Sequence, residues 1–86
     1  MNKNLMINAI KKHLKCNNNK KFYFPTNTIV ELDRYDEYIP TLLISMSVKK
    51  DVLYLKTYTE KYGIETDKVS DFHTDFVKEF YTHISA

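Results

Sequence analysis

Eighty-six residues, 43% hydrophobic with seven Tyr and five Phe, suffice for one domain (residues 1–86) with one core. One Cys excludes an internal disulfide, one Gly excludes the glycine-rich phosphate loops, and no apolar run approaches the roughly 20 residues of a membrane span. The net charge of +2 conceals a gradient: Lys3, Lys11, Lys12, Lys15, Lys20 and Lys21 stand without an acid in the first 25 residues, whereas Glu31, Asp33, Asp36 and Glu37 face only Arg34 in the next stretch.

A chain this short buries only about 60–65% of its surface and has no covalent staple, which suits a reducing compartment or stabilisation by a partner. Lys11 and Lys12 interrupt the apolar start of the chain, so it does not read as an export signal. The expectation is a cytoplasmic protein.

The first element is a helix from Lys3 to Cys16, because Ile7, Ile10 and Leu14, flanked by Met6 and Ala9, recur at helical spacing. Lys11, Lys12 and Lys15 fall outside that stripe, and late lysines suit the negative end of the helix dipole. The run Asn17-Asn18-Asn19 is a helix stop. Lys21 to Phe24 reads as a short aromatic strand closed by Pro25. Thr28 to Leu32 reads as a second strand on its β-branched residues, although Thr28 and Glu31 also fit a capping box for a short helix. Pro25-Thr26-Asn27 would then be a hairpin turn, and the charged stretch Asp33 to Tyr38 a loop.

The strongest pattern is a hairpin between Pro40 and Thr59. Its strands are Thr41 to Val48 and Leu53 to Thr59. Alternation puts Leu42, Ile44, Met46 and Val48 on one face and Leu43, Ser45 and Ser47 on the other. Pairing Val48 with Leu53 sets Met46 against Leu55, Ile44 against Thr57, Ser45 against Lys56 and Leu43 against Tyr58. A slip of one residue would place Lys56 in the core. With no Gly for a primed two-residue turn, a four-residue loop from Lys49 to Val52 is expected. Gly63 ends the strands. A second helix then runs from Thr66 or Asp67 to Ile84, with Val69, Phe72, Phe76, Phe80 and Ile84 along one face.

The order α-β-β-β-β-α defines an α+β class, with a three- or four-stranded antiparallel sheet and both helices packed on one face. No residue pattern specifies a nucleophile elbow, an oxyanion loop or a metal-ligand quartet. His13 and Cys16 form at most half a zinc site, so no catalytic residue, metal or cofactor is expected.

Surface therefore carries the function. The expectation is a small non-enzymatic regulator or inhibitor, of a kind that bacteria or phages encode, acting by contact with a protein or with its own copy. Leu43, Tyr54, Lys56 and Tyr58 are the expected partner-binding patch, since Tyr gives large contact area at low entropy cost. A second surface is the column Asp67, Asp71, Asp75 and Glu79, four acids at i, i+4 spacing on the second helix. The rival class is a nucleic-acid-binding protein using Lys11, Lys15, Lys20 and Lys21 beside an aromatic sheet face. Twelve of the 13 basic residues are Lys, a poorer base reader than Arg, which favours a protein partner.

Overall fold

The computed structural model describes residues 1–16 and 18–85. The chain is an α+β fold in the order α1 (Lys3–Cys16), β1 (Lys21–Tyr23), β2 (Ile29–Arg34), β3 (Glu37–Lys49), β4 (Val52–Thr59), β5 (Gly63–Lys68), a 3-10 turn (Val69–Asp71) and α2 (Thr74–Ser85).

Helix α1 forms where its apolar spacing predicts. The Asn2 side chain accepts the Leu5 N–H at 2.8 Å and so caps its first turn. At the far end Asn18 adopts φ 53°, with Asn18 N–H donating to the Lys15 carbonyl and Asn19 N–H to the Leu14 carbonyl, both at 3.1 Å. That is a Schellman closure with Asn in the place Gly usually takes. The Asn17 portion of the expected stop lies outside the described residues.

All five strands among the described residues belong to one antiparallel sheet, where the sequence patterns suggested three or four. Strand β3 is its spine. One edge of β3 pairs with β4, which in turn pairs with β5. The other edge pairs with β2 along residues 37–42 and with β1 along residues 45–47. The predicted hairpin turn at Pro25-Thr26-Asn27 is therefore absent. Strands β1 and β2 are one strand interrupted by a loop-out, since Phe24 N–H donates to the Ile44 carbonyl and Leu43 N–H to the Thr28 carbonyl on either side of it. The expected strand at Thr28 to Leu32 forms, and the expected loop at Asp33 to Tyr38 is instead a tight hairpin, because Tyr35 and Asp36 both take positive φ.

Pro40 lies inside β3 without breaking the ladder. Leu43 N–H points toward β2, so by alternation the Pro40 nitrogen faces the other edge, beyond the point where β4 ends at Thr59.

Next to its turn, the β3–β4 register is the expected one: Val48 opposes Leu53, Met46 opposes Leu55, Ser47 opposes Tyr54 and Ser45 opposes Lys56. Farther along it departs. Ile44 is an extra residue on β3, so Leu43 opposes Thr57 and Leu42 opposes Tyr58. Such a bulge reverses which residues face the core. Leu43 is consequently buried (2% exposed), while Leu42 and Ile44 are only half-buried. The turn itself has two residues, Lys50 and Asp51, both at positive φ, where four were expected.

One core cluster joins Met6, Ile10 and Leu14 of α1 with Val77, Phe80 and Ile84 of α2 and with Leu32, Leu43, Met46, Leu53 and Leu55 of the sheet. Phe80 meets Phe72 and Phe24 edge-on, with ring centroids 5.6 and 6.5 Å apart. The α2 helix begins at Thr74, later than its sequence suggests. Residues 63–68 form β5 instead, and Val69 and Phe72 enter the core from the 3-10 turn and its exit. Lys3 of α1 holds that turn by donating to the Ser70 carbonyl at 2.8 Å and the Phe72 carbonyl at 3.0 Å.

Candidate interaction surface

The sheet face opposite the core is built by strand register. Ile29 opposes Leu42, Leu42 opposes Tyr58, and Tyr58 opposes Ile64. These pairs form one continuous apolar row across β2, β3, β4 and β5. Ile29 is 60% exposed, Ile64 63% and Tyr58 42%.

Polar residues divide to the two sides of this row. On one side the next rows are Tyr23-Ser45-Lys56-Thr66 and Lys21-Ser47-Tyr54-Lys68, with Lys49 beyond. That half carries Lys21, Lys49, Lys56 and Lys68 and no acid. Among the described residues, none of these four lysines makes an ion pair. Lys21 lies over the Tyr23 ring, 5.6 Å from its centroid. On the other side lie Glu31 with Pro40, Asp33 with Tyr38, and Glu60 in the β4–β5 turn. A groove there is lined by Ile29, Pro40, Leu42, Tyr58, Glu60 and Lys61 among others. It opens because β3 runs on past the end of β4.

Of the expected partner-binding residues, Tyr54, Lys56 and Tyr58 lie on this face. Leu43 does not: the Ile44 bulge turns it into the core, and its place in the Tyr58 row is taken by Leu42. Ile29, Leu42, Ile64 and Glu60 share this face and are not among the expected residues. A signal for Ile64 exists, since Ile64, Thr66 and Lys68 alternate with Glu65 and Asp67 after Gly63, a strand pattern that helix-start chemistry at Thr66-Asp67 obscures.

The acidic column is not a column. Asp67 is in β5, Asp71 in the 3-10 turn, and only Asp75 and Glu79 share α2. Asp67 is engaged by Arg34, whose Nη2 donates to it at 2.8 Å and to Glu65 at 3.2 Å. The guanidinium also lies over two rings, 5.5 Å from the Phe72 centroid and 5.9 Å from that of Tyr35. Tyr35 packs against Tyr62 with ring centroids 4.6 Å apart and planes tilted by 47°, and donates its hydroxyl to Glu65 at 2.8 Å, and Lys61 pairs with Glu37 at 2.7 Å. The hydrogen bond to Glu65, and then the charge of Glu65, hold the Tyr35 hydroxyl above the usual phenol range. The bond to Glu37 likewise raises Lys61 above the usual lysine range. These contacts clasp the β2–β3 tip to the β4–β5 end.

The expected nucleic-acid set is also divided. Lys20 and Lys21 are exposed at the sheet edge, but Lys15 and Lys11 of α1 both reach Asp51 in the β3–β4 turn. The bond from Lys15 and the nearby Lys11 charge hold Asp51 below the usual carboxylate range. These two lysines thus tie α1 to the hairpin rather than facing the open sheet. Cys16 is an exposed free thiol, and no group of three or more His, Cys, Asp or Glu among the described residues could hold a metal ion. No described helix is long and apolar enough to cross a membrane.

No family model, no curated protein and no solved structure matches this chain.

Proposed function

We propose that this protein is a small binding protein, a regulator or inhibitor, that works by laying the open face of its sheet on a protein partner. The observation that carries the reading is the Ile29-Leu42-Tyr58-Ile64 row. A small domain gains stability from each apolar side chain it buries, at about 25 cal/mol per Å². Here three large aliphatic side chains in register with a Tyr remain outside the core across four strands. A contiguous apolar band of this kind is a feature of surfaces that bind. Tyr23, Tyr54 and Tyr58 supply rigid contact area around it. The lysine half suits an acidic rim on the partner, which would speed and orient docking more than tighten it.

A second reading draws on the acid-free half alone. Lys21, Lys49, Lys56 and Lys68 around Tyr23 and Tyr54 match the ingredients of single-stranded nucleic-acid binding. It leaves Ile29, Leu42 and Ile64 without a role, and for that reason the protein partner is preferred.

The test uses the immobilised chain against an extract of its source cells, beside Tyr58→Ala/Ile64→Ala and Tyr54→Ala/Lys56→Ala variants whose folding is verified by circular dichroism. A retained protein that both variants lose supports the reading. Equal retention by the wild type and by both variants would place the docking surface elsewhere. Retention that disappears after nuclease treatment would favour the second reading.

A further inference from the structure

The open face is complementary to itself. On β4, Lys56 stands two residues before Tyr58 and Glu60 two residues after it, so the opposite charges flank the apolar row symmetrically. The outer column repeats the arrangement. Tyr23 and Lys21 of β1 lie on one side of Ile29, and Glu31 and Asp33 of β2 lie on the other, both strands paired to the same edge of β3. Lys61, on the acidic side, is already neutralised by Glu37.

We propose that the partner of this face is a second copy of the chain, packed face to face about a two-fold axis along the Ile29-Leu42-Tyr58-Ile64 row. The inference rests on the reading of the open sheet as the docking surface. Such an axis keeps each strand column in place and exchanges the two sides of the row. The apolar row then meets its own copy. Lys21 faces Asp33 of the other copy, and Lys56 faces Glu60. The groove beside Pro40, Leu42 and Tyr58 lies where Lys56 of the other copy arrives. Its apolar walls suit the lysine stem and Glu60 at its rim suits the ammonium. An isologous interface requires this reciprocity, in which residue i meets j and j meets i. An unrelated acidic partner would use the lysine half but would leave Glu31, Asp33 and Glu60 facing like charge.

Sedimentation velocity over a range of protein concentrations tests the proposal. The wild type should dimerise. Lys56→Glu and Glu60→Lys, each alone, bring like charges together at both symmetric contacts and should weaken the dimer by about 100-fold. Mixing the two variants should restore it, because the heterodimer has unlike charges at both contacts. Circular dichroism of each variant, at exposed positions, verifies folding. A wild type that stays monomeric overturns the proposal, as does a dimer that survives both single changes. In the monomeric case, a different protein captured by the wild type and lost by Tyr58→Ala/Ile64→Ala leaves the open-face reading standing. A dimer indifferent to every open-face variant overturns that reading too. A single-stranded oligonucleotide that co-sediments with wild-type monomer and is released by Lys56→Glu overturns the second copy in favour of a nucleic acid.

Discussion

Arg34 on β2 donates to Asp67 on β5 at 2.8 Å, although β3 and β4 lie between those strands in the sheet. Three strand spacings of about 4.8 Å would hold flat strands roughly 14 Å apart. Arg34 is also level with Glu37 of β3 and Asp67, through Leu55, with Met46, so the contact requires the sheet to curl toward the helices; a bulge such as that at Ile44 bends a strand. The curl closes the core at that end, while Ile29, Tyr58 and Ile64 of the opposite face stay exposed.

The Arg34 side chain is 8% exposed, against 21% for Glu65 and 36% for Asp67. Removing both acids strands a buried cation, whereas removing the cation leaves acids that can hydrate. Glu65→Gln/Asp67→Asn is expected to cost about 3 kcal/mol in urea unfolding. Arg34→Met should cost less, because its side chain still packs against the Phe72 and Tyr35 rings. Equal losses would show that the clasp works through packing alone.

The bulge makes a sharp contrast between neighbours. Leu43→Ala should destabilise by about 3 kcal/mol and Leu42→Ala by less than about 1 kcal/mol. A continuous β3 would reverse that order, so chemical denaturation of the two variants decides the parity.

Thr57, opposite Leu43, is 1% exposed and its hydroxyl has no hydrogen-bond partner among the described residues. Val has the same shape and no polar atom to satisfy. Thr57→Val should raise stability by about 1 kcal/mol, read as a higher denaturation midpoint.

Two hairpin turns hold non-glycine pairs at positive φ, and they should respond differently to relief. Among the described residues Lys50 makes no ion pair, so Lys50→Asn should stabilise by about 0.5 kcal/mol. Tyr35 is held by Glu65 and Tyr62, so Tyr35→Asn should lower the melting temperature despite the easier backbone. Thermal melts of both variants test the contrast.

The pH dependence follows from three groups. Lys61 and Tyr35 sit above their ordinary values, so their contributions are complete below those values and lost as pH rises through the raised ones. Asp51 sits below its ordinary value, so its contribution is present above the usual carboxylate range and lost as pH falls through the lowered one. A Tyr absorbance titration of the wild type minus Tyr35→Phe should show one phenol ionising late. Glu65→Gln should bring it back toward the ordinary range.

Local physics was readable where one interaction decided the outcome. The α1 boundaries follow from apolar spacing and an Asn cap. The strand at Thr28 to Leu32 follows from β-branching, and the hairpin register near its turn from the cost of burying Lys56. The readings that failed share another cause. The left-handed residues Tyr35, Asp36, Lys50 and Asp51 are unfavourable in isolation, and pairing of the flanking strands imposes the two-residue turns that require them. The β5 strand begins among residues that also start helices, and pairing with β4 settles the competition.

Composition and periodicity by themselves determined an α+β domain with one core, and marked Tyr54, Lys56 and Tyr58 for a common face. Only the tertiary structure decided which leucine joins them. The Ile44 bulge lies opposite the gap between β1 and β2, two segments separated along the chain from the residue they displace. Alternation along β3 alone therefore carries no sign of it, and the bulge alone sends Leu43 inward and leaves Leu42 in the exposed row.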